Sequence, residues 1–375
     1  MALTKLLVFL TDPLATFQRK GEIKPRYYNP CNTFSEVHFI SPAEPGEEID
    51  VATVQTLVGG AALFVHPLGA RYYATAWSSS SRLSALIEHV GPDVIRAYDP
   101  GLRGSLAVYW AARLGVPSVV SVHANLDEQR RHEHRPSHFV RILLERYCLR
   151  RADAVICVTH HVASYARRFG AAEPLVIYNK VYTDQFGPRP RESPPPAADR
   201  LSILSVGRLV TQKYQECLIR AIEHLPAVLT LIGYGETRGA LDTTVSSLGL
   251  DGRVTFLAAV PHGQIAQHYG DADIFAMATH YEGFCIPVLE AMAAGLPIVA
   301  SKIPPIEEVV GDCGLLVENH PEAFAGALDA LIHAPALRSD LGMRARARAL
   351  SMDGLVMERR EADAYRMLAS RPRSC

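Results

Sequence analysis

The sequence predicts an α/β protein built from two Rossmann-like, doubly wound domains. Three observations carry this. Short apolar runs alternate with longer amphipathic stretches along the chain. The runs are rich in Val, Ile and Leu without polar alternation, the pattern of strands buried on both faces of a parallel sheet. Two such series lie on either side of one Pro-rich segment, GPRPRESPPPAADR at 187–200.

In the first series the strand-like runs are 5–10, 37–40, 61–65, 93–97, 118–122 and 154–158. The second series contributes 201–206, 228–232, 254–257, 273–276, 297–300 and 315–317. Between them, 102–114, 139–149 and 286–294 carry helical periodicity. Strands alternating with helices give a doubly wound sheet. Five prolines and one glycine exclude helix or central strand from 187–200. That segment reads as an extended linker. The expected division is therefore 1–186, a linker at 187–200, 201–350, and a C-terminal helix at 351–375 able to cross back to the first domain. The stretch 336–371 is helical in pattern and rich in Arg and Ala.

Composition narrows the function. The chain has 375 residues, 48% hydrophobic and 21% charged, which argues against wholesale disorder. Lys+Arg is 38 and Asp+Glu 39, so bulk positive charge does not mark a nucleic-acid coat. Seven cysteines are scattered with no CxxC pair, fitting neither a disulfide frame nor a zinc site. They point to a reducing compartment. The first ten residues hold eight apolar ones, too few to span a bilayer. The expected location is cytoplasmic, or peripheral at the inner face of a membrane.

Two doubly wound domains side by side are expected to face each other across a cleft, with ligands at the carboxyl ends of the strands. Polar and glycine residues stand at those ends. In the first half they are Asp12, His66, Asp99, His123 and His160. In the second they are Gly207-Arg208, Gly233-Tyr234-Gly235 and His280 through Glu282.

Two motifs carry chemistry. In SVGRLVTQK, Gly207 permits close backbone approach, and Arg208 and Lys213 bring two cations to a strand end. Arg can hold a phosphate bidentately, while Lys acts as a mobile charge. Taken alone, the pair is equally well read as solvated surface cations. In HYEGFCIPVLEAMAAGLPIVAS, Glu282 follows a strand and a helix starts near Ile286 or Pro287. A helix start favours a phosphate. Glu290, one turn in, can accept from the two hydroxyls of a ribose. On one continuous helix the two carboxylates would sit roughly 80° apart, so the reading requires Glu282 to lie in the loop.

Together these motifs resemble the retaining glycosyltransferases of the GT-B fold, most closely family 4. Glu282-Gly283-Phe284, Pro287 and Glu290 match the E-x7-E signature. Gly207-Arg208-Leu209 through Lys213 is similar to the family's G-R-L-x-x-x-K, and Leu231 to Glu236 to its second glycine turn. Arg253 to Leu257, Asp271 to Ile274 and Gly314 to Val317 follow in the family's order. The likeness is dense from 201 to about 332 and weaker over 92–186.

The resemblance implies transfer of a sugar from a nucleotide sugar, a UDP-sugar by family frequency, with retention. The acceptor would be a hydroxyl of a saccharide, glycolipid or small metabolite. Arg208 and Lys213 would neutralise the leaving diphosphate in place of a metal. Glu290 would hold the ribose and Glu282 the donor sugar. Gly207, Gly233, Tyr234, Gly283, Phe284, Cys285 and Ile286 would complete the donor site. No metal and no bound cofactor are expected; the nucleotide sugar is a co-substrate. The first domain would hold the acceptor, with His123 at the family's active-site histidine position. Asp12, Asp99, Asp127 and Glu128 are weaker acceptor candidates.

Two departures stand out. The family's glycine pair after the first strand is replaced by Thr11-Asp12-Pro13-Leu14-Ala15-Thr16, and its Asn-Gly near the linker by Asn179-Lys180. Lys180 would add charge to the cleft.

Residues 130–151, RRHEHRPSHFVRILLERYCLRR, hold seven Arg and two Glu, with Phe139, Ile142, Leu143 and Tyr147 at helical spacing. A basic amphipathic helix can lie on an anionic membrane. An ordinary helix with its apolar face on the sheet is the preferred reading, since the sheet needs cover on both faces. The rival functions are a GT-B sugar-nucleotide epimerase and a non-catalytic nucleotide-sugar binding protein. A glycogen-type phosphorylase would need a far longer chain.

Overall fold

The computed structural model describes residues 3–20, 24–44, 46, 48–69, 76–78, 81–132, 138–189, 200–258, 260 and 262–370. The chain forms two compact units. The first is Met1–Tyr178 with Met357–Cys375, and the second is Asn179–Val356. The division thus falls ahead of the Pro-rich segment, of which 190–199 lie outside the described residues.

The first unit holds a parallel sheet of β1 (Lys5–Phe9), β2 (Glu36–Ser41), β3 (Ala62–Pro67), β4 (Val94–Ala97), β5 (Ser118–Val122), β6 (Ala154–Cys157) and β7 (Leu175–Val176). Their order is β3-β2-β1-β4-β5-β6-β7. The second holds β8 (Leu201–Val206), β9 (Ala227–Ile232), β10 (Val254–Leu257), β11 (Ile274–Met277), β12 (Ile298–Ser301) and β13 (Gly314–Val317). Here the order is β10-β9-β8-β11-β12-β13, again all parallel. Chain order reverses between β1 and β4 in one sheet and between β8 and β11 in the other. These reversals are the topological switch points where helices diverge and leave a crevice.

All twelve anticipated runs are strands, within a residue or two at their ends. Only the two-residue β7 was not anticipated; it is too short to carry a pattern. The absence of polar alternation has a physical cause. Central strands are covered on both sides, so β4, β5, β11 and β12 are buried at every position. In the first unit Leu7, Phe9, Ile95 and Ala97 pack with Leu83, Ile87, Leu106 and Trp110 from helices. In the second, Leu229, Leu231, Ile274 and Val299 pack with Leu218, Ile222, Phe324 and Leu328.

The final helix, Gly354–Ser370, rejoins the first unit from Met357 onward. Its anchor is buried and ionic. The Arg96 guanidinium, projecting from β4, donates to the Glu361 carboxylate, to the Tyr365 hydroxyl and to Ser121 Oγ at 2.8 Å. It also lies 4.4 Å over the Tyr98 ring. Burial disfavours the charge, but Glu361 opposes that and holds the guanidinium protonated. Arg26 adds a second pair, with Glu358, at 3.0 and 3.1 Å.

One helix departs from expectation. Over His138–Arg151, Phe139 and Leu143 are 70% and 51% exposed instead of packing on the sheet. The helix turns Glu145 inward, where Arg130 donates to both its oxygens at 2.8 Å and the Tyr165 hydroxyl donates at 2.7 Å. The buried positions are consequently Glu145, Cys148 and Leu149.

Removing one partner of a buried ion pair strands the other charge. Glu361→Ala is expected to lower stability by about 3–5 kcal/mol. Tyr98→Phe should be close to neutral, because the Tyr98 hydroxyl is buried without a partner. Urea denaturation of both variants checks the contrast.

Candidate functional site

In the second unit, the loops after β8, β9 and β11 converge at the switch point. After β8 the chain runs through Gly207 and exposed Arg208 to a 3-10 turn at Thr211–Lys213. After β11 it runs through Thr279, His280 and Tyr281 to Glu282. The two loops are bonded together: Lys213 Nζ lies 2.5 Å from Glu282 Oε1, with both side chains about nine-tenths out of solvent. The Thr279 hydroxyl donates to the same carboxylate oxygen at 2.9 Å. Gln212 Nε2 donates to the Tyr281 carbonyl at 2.7 Å, and His280 N to the Gln212 carbonyl at 2.9 Å.

Burial pushes the Lys213 ammonium towards neutrality, but the Glu282 charge more than offsets this and raises its pKa above the ordinary lysine value. Arg208 is close enough to be felt at Lys213 as a like charge. The loop after β11 is fixed from behind. Ser301 Oγ accepts from Thr279 N at 2.8 Å and donates to Asn319 Oδ1 at 2.5 Å, and Asn319 Nδ2 donates to the Thr279 carbonyl at 2.8 Å. Ser301 closes β12 and Asn319 follows β13 by two residues, so the strand-end rule could have found both.

The helix Ile286–Ala293 begins next, with Cys285 at its N-cap and no side-chain cap bond. Its first-turn N–H groups suit an anion. Burial, followed by the Glu282 charge, pushes the Cys285 thiol up to about 12. It is a neutral wall residue at ordinary pH. Glu290 is 6% exposed and accepts from the Tyr269 hydroxyl at 2.8 Å. Neither Glu282 nor Glu290 is a solvated surface carboxylate.

Within these loops the backbone packs tightest at Gly233 and Gly235, where a Cβ would sit 2.0 Å from the Gly207 and Leu209 carbonyl oxygens. Gly233 has φ +149°. At Gly207 a Cβ would meet only Lys213 methylenes at 3.8 Å, an ordinary contact. Tyr234, next to Gly233, is 55% exposed. Tyr214, with φ 37°, stacks on His280 at 4.7 Å.

The first unit has its own cavity at the β1/β4 switch point, of about 510 Å³. Thr11, Asp99 and His123 line it, with Tyr98, Arg103, Arg141 and Glu145 among the other walls. Tyr98 stacks on His123, ring centroids 5.8 Å apart. Asp99 Oδ1 accepts from Gly101 N at 2.7 Å; burial raises its carboxyl pKa against that bond. Where the loop after β1 lacks the expected glycines, the Thr11 carbonyl accepts from the Arg103 guanidinium. Tyr98 follows strand β4 directly, so the strand-end rule could have found it.

The remaining candidates lie elsewhere. Asp127 is engaged by Arg130 at 2.6 Å and Arg168 at 3.1 Å, and Glu128 by His161 at 2.7 Å. Neither lines the cavity, nor does Asp12. His66 faces His38 at 3.1 Å on the sheet edge, and His160 opens the helix His160–Arg168. Lys180 is buried, at 6% exposed. Among the described residues, no group of three His, Cys, Asp or Glu is placed to hold a metal.

Gly233→Ala tests the converging loops. The added methyl must displace the Gly207 carbonyl, and the backbone strain alone costs about 1–3 kcal/mol. A lowered melting temperature, with weakened binding of any ligand held by the Gly207–Arg208 loop, is the expected result.

Comparison with known proteins places the chain. A profile for "Glycosyl transferases group 1" matches residues 188–348, and one for "Glycosyltransferase Family 4" matches 35–185. A D-inositol 3-phosphate glycosyltransferase of Mycobacteroides abscessus is 32% identical over 60% of this chain and 55% of its own. The lipopolysaccharide core biosynthesis glycosyltransferase LpsE of Rhizobium meliloti is 30% identical over 60% of this chain and 66% of its own. The chain thus spans about half the length of the first curated relatives it matches. Among solved structures, sucrose-phosphate synthase from Thermosynechococcus elongatus superposes with TM-score 0.76 at 20% identity, covering 97% of this chain and 99% of that one. Anabaena HepE, solved with UDP and glucose, gives 0.74 at 19%, covering 96% and 99%. The two family profiles cover successive parts of the chain, and both sheets have the parallel, doubly wound order of the GT-B fold: the chain belongs to the group 1 glycosyltransferases, family 4.

Proposed function

We propose that the protein is a retaining glycosyltransferase that moves a sugar from a UDP-sugar to a hydroxyl of a saccharide, glycolipid or small-metabolite acceptor. The observation that carries this reading is the Lys213–Glu282 pair beside Arg208 at the switch point of the second unit. It joins a phosphate-seeking cation to a carboxylate suited to sugar hydroxyls. UDP is the favoured nucleotide because HepE, of like fold, was solved with it.

In this reading the bond from the anomeric carbon to the diphosphate breaks while a bond to the acceptor oxygen forms, and the proton of the acceptor hydroxyl passes to the departing diphosphate. Negative charge grows on the departing phosphate, and fixed cations stabilise it most at that moment. Arg208 and Lys213 supply the charge, so no divalent metal is needed. The first-turn N–H groups of the helix at Ile286 add to it. Glu282 holds Lys213 in place and accepts from donor-sugar hydroxyls, while Glu290, oriented by Tyr269, accepts from the ribose. His123, with its ring stacked on Tyr98 in the cavity of the first unit, is suited to bind an acceptor hydroxyl there. An epimerase or a non-catalytic binder would use the same donor loops without needing that cavity.

A thermal-shift panel of UDP, GDP and ADP tests the donor site. A shift with UDP alone is expected; no shift with any nucleotide would sink the reading. Glu290→Ala should weaken UDP about 10- to 100-fold in calorimetry, the worth of a hydrogen bond to a charged group. With a transferring acceptor found, Arg208→Ala should lower kcat by about 100-fold with a smaller change in donor affinity. Activity should also survive EDTA; loss restored by manganese would refute the metal-independent mechanism.

A further inference from the structure

The helix His138–Arg151 presents an unusual outer face. Phe139, Val140 and Leu143 are 70%, 60% and 51% exposed, three large apolar side chains within one and a half turns. Elsewhere the large exposed apolar residues are mostly single. Such scatter is normal, whereas a contiguous patch marks an interaction site.

Among the described residues of this helix, the exposed charges are all positive. Arg141, Arg146, Arg150 and Arg151 on the same helix, and Arg131 just before it, are all exposed. The helix has one acid, Glu145, which is 1% exposed and committed to Arg130 and Tyr165. Among the described residues, no ion pair joins Arg141, Arg146, Arg150 or Arg151 to a carboxylate. Arg146 and Arg151 lie instead over the rings of Phe169 and Tyr147, at 5.8 and 5.1 Å. The apolar side chains sit in the first half of the helix, and three of its four exposed arginines in the second.

We propose that this helix docks the first unit onto an anionic lipid surface. Phe139, Val140 and Leu143 enter the acyl boundary, and the arginines meet the headgroup phosphates. Charge complementarity selects this occupant, because a helix whose exposed charges are all arginine and whose one acid is buried suits an anionic surface. Arg141 and Leu144 of the same helix line the cavity that holds Asp99 and His123, so a bilayer held there lies at the cavity's rim. The surface stands apart from the glycosyl-transfer reading; only its bearing on an acceptor rests on that reading.

Sedimentation of the full chain with phosphatidylcholine vesicles, with and without phosphatidylglycerol, tests it. Binding should be about tenfold or more tighter with phosphatidylglycerol, and should weaken as salt rises. A Phe139→Ser/Leu143→Ser double variant and an Arg141→Gln/Arg150→Gln double variant should each lose that preference. The UDP thermal shift, read in parallel on each variant, reports folding and the donor site separately. Equal binding to both vesicles, or variants that bind as the wild type does, would overturn the proposal. So would a dimer seen by light scattering that Phe139→Ser/Leu143→Ser abolishes while vesicles go unbound, since the face would then serve a second copy. Vesicle binding without any nucleotide shift would leave the docking surface standing and refute the proposed function instead.

Discussion

A parallel sheet covered by helices on both faces leaves one place for polar chemistry, the carboxyl edge of its strands. Everything functional in this chain follows from that constraint. The central strands are buried at every position, and the one charge among them, Arg96, is taken up by Glu361, so their interiors leave no place for a charged ligand. At the switch points the loops part, and the residues placed there become the site. Arg208, Lys213, Gly233 and Glu282 gather at one such point, and Asp99 and His123 at the other.

Within that frame, the contact between Lys213 and Glu282 ties the loop after β8 to the loop after β11. Neither residue stands alone. The carboxylate keeps the ammonium charged despite burial, and the ammonium keeps the carboxylate from being an isolated buried charge. The Thr279, Ser301 and Asn319 bonds then hold the loop after β11 from the neighbouring strands. A site preorganised in this way need not reorganise when charge develops on a ligand.

Strands were legible because burial on both faces writes itself into consecutive apolar residues. That the loops after β8 and β11 would come together was legible because glycine, cation and carboxylate stand at the strand ends there. Partnership was not legible. Tyr269 reaches Glu290 from a helix that precedes β11, and no local pattern links the two. Spacing also could not show that Asp127 is consumed by Arg130 and Arg168, or that Gly233 and Gly235 pack against the Gly207 and Leu209 carbonyls. The helix at 138–151 misled for a specific reason. Its inward position is taken by Glu145, whose partners Arg130 and Tyr165 lie 15 and 20 residues away, so the apolar residues turn outward.

The return of the last helix bears on how the chain is made. The first unit is discontinuous: its sheet comes from the early part of the chain, while the acid that neutralises Arg96 is Glu361. During synthesis from the N-terminus, that guanidinium waits through the whole of the second unit for its partner. The second unit is contiguous and can close first. A nascent first unit therefore lacks the acid that pairs with Arg96 until the helix Gly354–Ser370 has been synthesised.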